Sequence, residues 1–193
     1  MNLLTDGLPD FVTINQVQYR IHTSHRNWIQ FDLTMDAQLP VEDKLIRVLH
    51  LCYMDKLPPN AESAIKAAVD FYMCRALQLP DIPDEAKEEE TRKRIYSFEH
   101  DAKYIYSAFL AQYRIDLTTA DLHWWQFNAL FQSLSDDCKF SKIMEYRAID
   151  LSKIKDKEQK AFYRKMKAYY RIPDMRTDDE RDADMLRSMG QLF

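Results

Sequence analysis

The side chains that could carry out acid–base or metal chemistry are few and scattered along the chain. No histidine lies in an H-E-x-x-H motif or four residues from a second strong metal ligand. Glu99, His100 and Asp101 are adjacent, so on a helix they would spread over about 200° instead of converging on one ion. We therefore expect no metal site, and structural or surface roles for all the histidines: His22, His25, His50, His100 and His123.

Nucleophilic and carboxylate catalysis also lack a convergent set of residues. Cys52 and Cys74 fall within apolar helical stripes, where a small buried side chain is the ordinary interpretation. With Cys138 they form no C-x-x-C pair, which argues against a disulfide framework or a zinc knuckle. The acidic clusters at 84–90 and 178–184 lie in stretches of low hydrophobicity, which is typical of solvated surface. We expect no catalytic residues and no enzyme activity.

Glycine is rare, since only Gly7 and Gly190 occur in 193 residues. Loops that cradle phosphates need several glycines, because the backbone must approach the ligand closely. The common nucleotide-binding motifs are therefore excluded, and we expect no cofactor. The same scarcity, with long segments rich in Ala, Leu, Lys and Glu, favours helices over sheets closed by tight turns.

These patterns predict a mainly α-helical fold with a small N-terminal β-hairpin. In FVTINQVQYRI, apolar residues alternate on both sides of Asn15-Gln16, which indicates two short strands joined by a turn. Helical spacing follows in HRNWIQFDLTMDA, after Pro40, and in AESAIKAAVDFYMCRALQL, with Asn60 as cap and Pro80 as the end. Further helices are predicted in YSFEHDAKYIYSAFLAQYRIDL, in DLHWWQFNALF after a Thr118 or Thr119 cap, in DDCKFSKIMEYRAID and in DKEQKAFYRKMKAYYRI.

One internal boundary is predicted, at residues 80–94. This stretch combines two prolines with a block of charges, which is typical of an exposed linker. It would separate an N-terminal hairpin and helical part, 1–79, from an aromatic-rich helical part with a basic C-terminal helix, 95–193; a single domain is the alternative. The sequence shows no basic n-region followed by an apolar run and no stretch of 18 apolar residues, so we expect an unexported protein without membrane contact.

Adjacent tryptophans, Trp124 and Trp125, are the most distinctive aromatic feature. Consecutive residues of a helix point about 100° apart, so both rings cannot enter one pocket edge to edge. We expect Trp124, with Phe127 and Phe131, to be core, and Trp125 to border a groove for a partner. On that interpretation Trp125→Ala weakens partner binding and barely changes the melting temperature. Tyr104 and Tyr106 are further candidates for half-exposed anchors.

The segment 155–171 is a predicted basic helix that interleaves aromatic residues with seven Lys and Arg residues. Residues 139–176 hold twelve Lys and Arg against five Asp and Glu, a net +7 in a chain of net charge −4. Nucleic-acid binding is one interpretation, because stacking rings and cations grip single strands. Docking on the acidic remainder of the chain or on a protein partner is the interpretation we favour. The candidate partner-binding tyrosines here are Tyr163 and Tyr170, and the basic arm comprises Lys160, Arg164, Lys167 and Arg171.

Two blocks, YSFEHDAKYIYSAFLAQYRIDL and LHWWQFNALFQSLSDDCKFSKIMEYR, resemble the phage family of gene product 15, found in long-tailed phages of Gram-positive bacteria. The opening VTINQVQYRIHTSHRNWIQF resembles the start of the same family. Members are encoded just before the tail tape-measure protein, the place of tail assembly chaperones. The resemblance therefore implies a non-catalytic protein of phage or prophage tail assembly in the bacterial host cytoplasm.

This resemblance also implies partners. They are the tape-measure protein and, as a second candidate, the tail tube protein, with a homo-oligomer left open and nucleic acid disfavoured. The family supplies no catalytic residues that could be assigned to this chain. The alternative function is a nucleic-acid-binding or regulatory module that uses 155–171.

Overall fold

The computed structural model of the protein describes residues 2–75 and 94–173. Within them the chain forms a two-stranded antiparallel hairpin followed by helices, which confirms the predicted mainly α-helical fold. The elements are β1 (Phe11–Ile14), β2 (Val17–Arg20), α1 (His25–Asp36), α2 (Val41–Cys52), α3 (Ala61–Tyr72), α4 (Ala102–Tyr113), α5 (Trp124–Gln132), α6 (Lys139–Ala148) and α7 (Lys157–Tyr169). The predicted linker at 80–94 lies outside the described residues except for Arg94, so that boundary stays a prediction.

The hairpin turn is the predicted one. Asn15 and Gln16 both take positive φ, 49° and 67°, the conformation that suits the twist of a two-residue hairpin. Ile14 pairs with Val17 and Val12 with Tyr19, so these four side chains share one face of the sheet. β1 packs against α3, and Ile14 is buried; Tyr19 of β2 is buried as well, with its ring edge-on to Tyr53 at 6.3 Å.

Some helix ends lie where the sequence predicts them, and others do not. The Asn60 side chain accepts a hydrogen bond from the Ser63 backbone N–H at 2.8 Å, as expected for the cap of α3. The prediction that this helix continues to Pro80 is wrong, because it ends at Tyr72 and Cys74 takes a left-handed φ of 52°. The Thr118 or Thr119 cap for α5 is also wrong, since the helix begins after His123.

A single hydrophobic cluster joins the segments on both sides of residues 76–93. Trp28 of α1 lies near its centre and stacks on Phe71 of α3, with ring centroids 4.9 Å apart. Phe127 of α5 is fully buried and stacks between Phe109 and Trp124, at 5.0 and 5.5 Å. Full burial of a ring of this size contributes about 1.5–3 kcal/mol, so these aromatic contacts are a large part of what stabilises the fold.

Both tryptophans of the adjacent pair belong to this core. Trp124 is confirmed as a core residue, but Trp125 is only 3% exposed, so the expectation that it borders a surface groove is wrong. Both rings contact the last two residues of α3, Trp124 against Tyr72 and Trp125 against Phe71. Trp124 Nε1 donates to the Tyr72 carbonyl at 2.7 Å, and Trp125 Nε1 donates to the Phe71 carbonyl at 2.9 Å. The pair therefore adds to the capping of α3, where the Phe71 carbonyl also accepts from the Cys74 backbone N–H at 3.0 Å.

Candidate partner-binding site

Helix α7 lies at the surface, and local residues of the sequence determine where it begins. The Asp156 side chain accepts a hydrogen bond from the Gln159 backbone N–H at 2.7 Å, so it caps the helix, and Glu158 lies in the first turn near the positive end of the helix dipole. No side chain of α7 is fully buried. Tyr163, Lys167 and Tyr170 are half-buried and recur at spacings of four and three, so they define the face toward the body of the protein. The basic helix is thus docked, but only shallowly.

Side-chain bonds to backbone carbonyls hold α7 in place. Arg147 Nε of α6 donates to the Tyr170 carbonyl at 2.6 Å, beyond the last residue of α7. Lys167 Nζ donates to the Ile149 carbonyl, also at 2.6 Å. One of the two anchoring bonds therefore comes from the body of the protein and the other from the helix itself.

Arg147 also forms a buried ion pair with Asp101. Its Nη1 lies 2.5 Å from Asp101 Oδ2 and its Nη2 lies 2.9 Å from Oδ1, a bidentate arrangement. Asp101 is 1% and Arg147 9% exposed. Arg147 Nη1 donates to the Ile95 carbonyl at 3.0 Å as well, and the Ser97 backbone N–H donates to Asp101 at 3.0 Å. One arginine thus joins the start of α4, the segment before it and the end of α7.

The sequence reasoning missed this ion pair, although a signal was present. Phe140, Ile143 and Arg147 follow one another at spacings of three and four, so the arginine occupies a position where a core residue is expected. A charged side chain on a buried helical face needs a partner of opposite charge. Asp101 lies immediately before a strongly periodic helix, but nothing in the spacing connects two residues 46 positions apart.

Six rings around α7 form a continuous surface that we call the aromatic patch: Tyr104, Tyr146, Phe162, Tyr163, Tyr169 and Tyr170. Tyr146 is the link, with ring centroids 6.2 Å from Phe162, 6.1 Å from Tyr163 and 6.0 Å from Tyr170. Phe162 remains 50% exposed and Tyr169 75% exposed. Exposed aromatic side chains in a cluster of this kind are typical of surfaces that bind another protein.

Positively charged side chains border part of the aromatic patch. Three of the predicted basic arm residues recur at helical spacing along one edge of α7, and the fourth, Arg171, follows two residues after the helix ends; the three are Lys160, Arg164 and Lys167. Arg164 and Arg171 are exposed, whereas Lys160 and Lys167 are half-buried. On the body of the protein, Lys103 Nζ and Lys139 Nζ lie 4.9 and 5.6 Å from the centroid of the Tyr104 ring.

The structure brings together three of the five tyrosines and tryptophans chosen from the sequence. Tyr104, Tyr163 and Tyr170 meet in the aromatic patch. Tyr106 does not, since it lines a separate groove of about 300 Å³ between α1 and α4. Trp125 is in the core. Their proposed role in partner binding stays a prediction for the four exposed or half-exposed residues.

The buried cysteines lie in the core of the protein. Burial raises the pKa of both Cys52 and Cys74 to about 12, so both are neutral thiols at physiological pH. Within residues 2–75 and 94–173, no group of three or more His, Cys, Asp or Glu side chains is arranged to hold a metal ion. None of the described helices is long and apolar enough to cross a membrane.

Two histidines accept hydrogen bonds where α1 meets α5. His25 Nδ1 accepts from the Leu122 backbone N–H at 3.3 Å, and His123 Nδ1 accepts from the Trp125 backbone N–H at 3.0 Å. His123 Nε2 lies 2.9 Å from the Pro9 carbonyl, which can only accept, so Nε2 carries the proton. Desolvation by burial is the main cause that lowers the pKa of both histidines below 6.5.

We predict that the protein loses stability in mild acid through these histidines. The unfolded chain binds protons at a higher pH than the folded chain, so the free energy of unfolding falls as pH drops below about 6.5. Protonation also removes the Nδ1 acceptor that caps α5. His123→Asn keeps a capping oxygen but does not titrate, so its melting temperature should change less between pH 7.5 and pH 5.5. An acid response identical to that of the unaltered protein would contradict the role given to His123.

The family model of the bacteriophage Gp15 protein matches residues 4–172, which include all the elements described above. Comparison with curated proteins gave no match, and comparison with solved structures gave none. The matched range contains the hairpin, the tryptophan pair, the Asp101–Arg147 ion pair and the whole aromatic patch. Because it extends over most of the 193 residues, the chain belongs to the bacteriophage Gp15 protein family.

Proposed function

We propose that the protein acts without catalysis in phage tail assembly, as a chaperone or adaptor that binds the tape-measure protein in the host cytoplasm before the tail tube polymerises. The aromatic patch is the observation that carries this proposal. Phe162 and Tyr169 expose half or more of their surface on a helix that is itself shallowly docked. A cluster of exposed rings is costly to leave in water and is explained by a partner that covers it.

The properties of a tape-measure protein match such a surface. It is a very long and largely helical chain, and its apolar stripes stay uncovered until tube subunits surround it. A helical protein with exposed aromatic residues can cover such stripes by helix-to-helix contacts. Membership of a phage family supports this assignment. The resemblance noted in the sequence adds the expectation that the tape-measure gene lies just downstream. The tube protein is a second candidate partner, which would displace the chaperone.

The test is co-expression with the tape-measure protein, followed by purification of the complex at low and at high salt. We expect soluble tape-measure protein to co-purify at both, because apolar contacts respond weakly to salt. The double variant Phe162→Ser/Tyr169→Ser should lower recovery by about tenfold or more, since one aromatic anchor contributes about 2 kcal/mol. Ile46→Ser is the matched control, because Ile46 of α2 is 55% exposed but remote from the aromatic patch.

The second candidate function is nucleic-acid binding or regulation through 155–171, and the basic edge of α7 is the observation in its favour. Phosphate contacts weaken steeply with salt, whereas apolar contacts do not. If the tape-measure protein stays insoluble and unbound while nucleic acid co-purifies at low salt only, the chaperone proposal is wrong. In that case Arg164→Gln and Arg171→Gln should release the nucleic acid.

A further inference from the structure

The outward surface of α7 has a pattern of its own. Helical geometry of about 100° per residue places Phe162 and Tyr169 along one edge of α7 and Arg164 along the other, and Arg171 follows two residues after the helix ends. Between the two edges, on the side away from the protein body, lie two alanines seven residues apart and one lysine. We call this the outer face of α7: Ala161, Phe162, Arg164, Lys165, Ala168, Tyr169 and Arg171. All of these residues are exposed.

Charge on the outer face is unbalanced. Arg164, Lys165 and Arg171 take part in none of the ion pairs formed within the described parts of the chain. Glu158 is the one carboxylate of α7, and it lies in the first turn. A ligand on this face would therefore gain by bringing negative charge to the arginine edge.

We propose that the outer face of α7 binds an amphipathic helix whose apolar stripe has an acidic edge. The aromatic edge supplies apolar contact, the alanines allow close approach of a second backbone, and the arginines pair with carboxylates. The inference rests on the proposed function, because it states which segments of the tape-measure protein are recognised. They are helical segments that place Asp or Glu beside Leu, Ile or Val at helical spacing.

A helix suits this face better than a single nucleic-acid strand does. Bases stack on rings that lie close to the cations holding the adjacent phosphates. On the outer face the rings and Arg164 lie on opposite edges of a helix about 10 Å wide, with alanines between them. That separation matches the side-by-side packing of two helices, whose axes lie about 8–10 Å apart.

The test uses three synthetic helical peptides of about 21 residues, three heptads long, with the purified protein and fluorescence anisotropy. The first has Leu at the core positions and Glu beside them, the second replaces Glu by Lys, and the third replaces Leu by Ser. A single-stranded DNA of about 20 nucleotides is the fourth probe. We expect the Glu peptide to bind roughly tenfold or more tightly than any other probe.

Charge variants make the test specific. Arg164→Glu/Arg171→Glu should reverse the preference, so that the Lys peptide binds better than the Glu peptide. Arg47→Gln/Lys66→Gln removes two exposed cations from α2 and α3 and should leave the preference unchanged. Because all four positions are exposed, far-UV circular dichroism should show intact folding in each variant.

Three results would overturn the inference. They are equal binding of the Glu and Lys peptides, tighter binding of the DNA, and a dimer in solution that Phe162→Ser/Tyr169→Ser converts to monomer. The last result would identify a second copy of the chain as the occupant. If the tape-measure protein nevertheless co-purifies in a way that depends on Phe162 and Tyr169, the proposed function stands. Only the inferred preference for helices with an acidic edge is then wrong. If it fails to co-purify, the proposed function is wrong whatever the peptides do.

Discussion

Arg147→Leu is expected to lower the free energy of unfolding by about 3–5 kcal/mol, a large part of the 5–15 kcal/mol typical of a folded protein. The substitution leaves Asp101, which is 1% exposed, as a buried carboxylate without its cation. It also removes the donors to the Ile95 and Tyr170 carbonyls. Urea unfolding followed by circular dichroism measures the loss, and limited proteolysis measures the release of α7.

The control for Arg147 lies on the same helix. Lys142 pairs with Asp137 at 3.7 Å on the protein surface, so Lys142→Ala should change stability by no more than about 1 kcal/mol. Arg147→Lys should recover only part of the loss, because an ammonium group cannot reproduce the bidentate pair. A loss below about 1 kcal/mol for Arg147→Leu, with α7 still resistant to protease, would show that the ion pair does not hold the helix.

Asp101→Asn separates the ion pair from the carbonyl contacts. The amide keeps an oxygen acceptor for the Ser97 backbone N–H but removes the charge that faces Arg147. Combined with Arg147→Leu in a double-mutant cycle, it should show a coupling energy of about 0.5–3 kcal/mol, as expected for residues in direct contact. The remainder of the Arg147→Leu loss then belongs to the carbonyls of Ile95 and Tyr170.

Local patterns in the sequence were enough to predict the fold class. Alternation around Asn15-Gln16 gave the hairpin because a side-chain period of two and a positive-φ turn are both encoded within ten residues. Asn60 gave a helix start because its capping bond reaches only three residues ahead. Features of this kind depend on neighbours in the chain, so they can be predicted without knowing the tertiary structure.

Helix ends set by distant residues could not be predicted in the same way. The end of α3 at Tyr72 depends on bonds from Trp124 and Trp125, more than 50 residues later. The start of α5 depends on His123. This residue forms an isolated antiparallel β-bridge with Ser24, which immediately precedes α1. Periodicity places a residue on a helical face, but it does not say which other element covers that face.

Only part of the candidate site was predictable for the same reason. The spacing in 155–171 correctly gave a basic helix, but it indicated Phe162, Met166 and Tyr169 or Tyr170 as one side. The structure instead turns Tyr163, Lys167 and Tyr170 toward the body of the protein and leaves Phe162 and Tyr169 exposed. How deeply that helix docks depends on Arg147 and Tyr146, which lie on α6 and carry no local signal of contact with it. The exposure of Phe162 and Tyr169 therefore became visible only in the structure.

Trp125→Ala is expected to lower the free energy of unfolding by about 3–5 kcal/mol, the usual cost of truncating a buried tryptophan. This reverses the expectation from the sequence, where the ring was placed at the surface. The ring stacks on Phe71 with centroids 5.2 Å apart, and its Nε1 donates to the Phe71 carbonyl. Alanine leaves a cavity and removes that donor, so the melting temperature should fall steeply.

Trp125→Phe divides this effect into its two causes. Phenylalanine fills most of the cavity but has no N–H, so the Phe71 carbonyl keeps the Cys74 backbone N–H as donor, and the lost hydrogen bond should cost about 0.5–1.5 kcal/mol. Tyr169→Ala on the 75% exposed ring is the surface control and should change stability by about 0.5 kcal/mol or less. If Trp125→Ala were as mild as Tyr169→Ala while abolishing tape-measure binding, the surface assignment of Trp125 would be right. A large loss of stability from Trp125→Ala together with a partial loss from Trp125→Phe would instead show that Trp125 is a core residue that stabilises the end of α3.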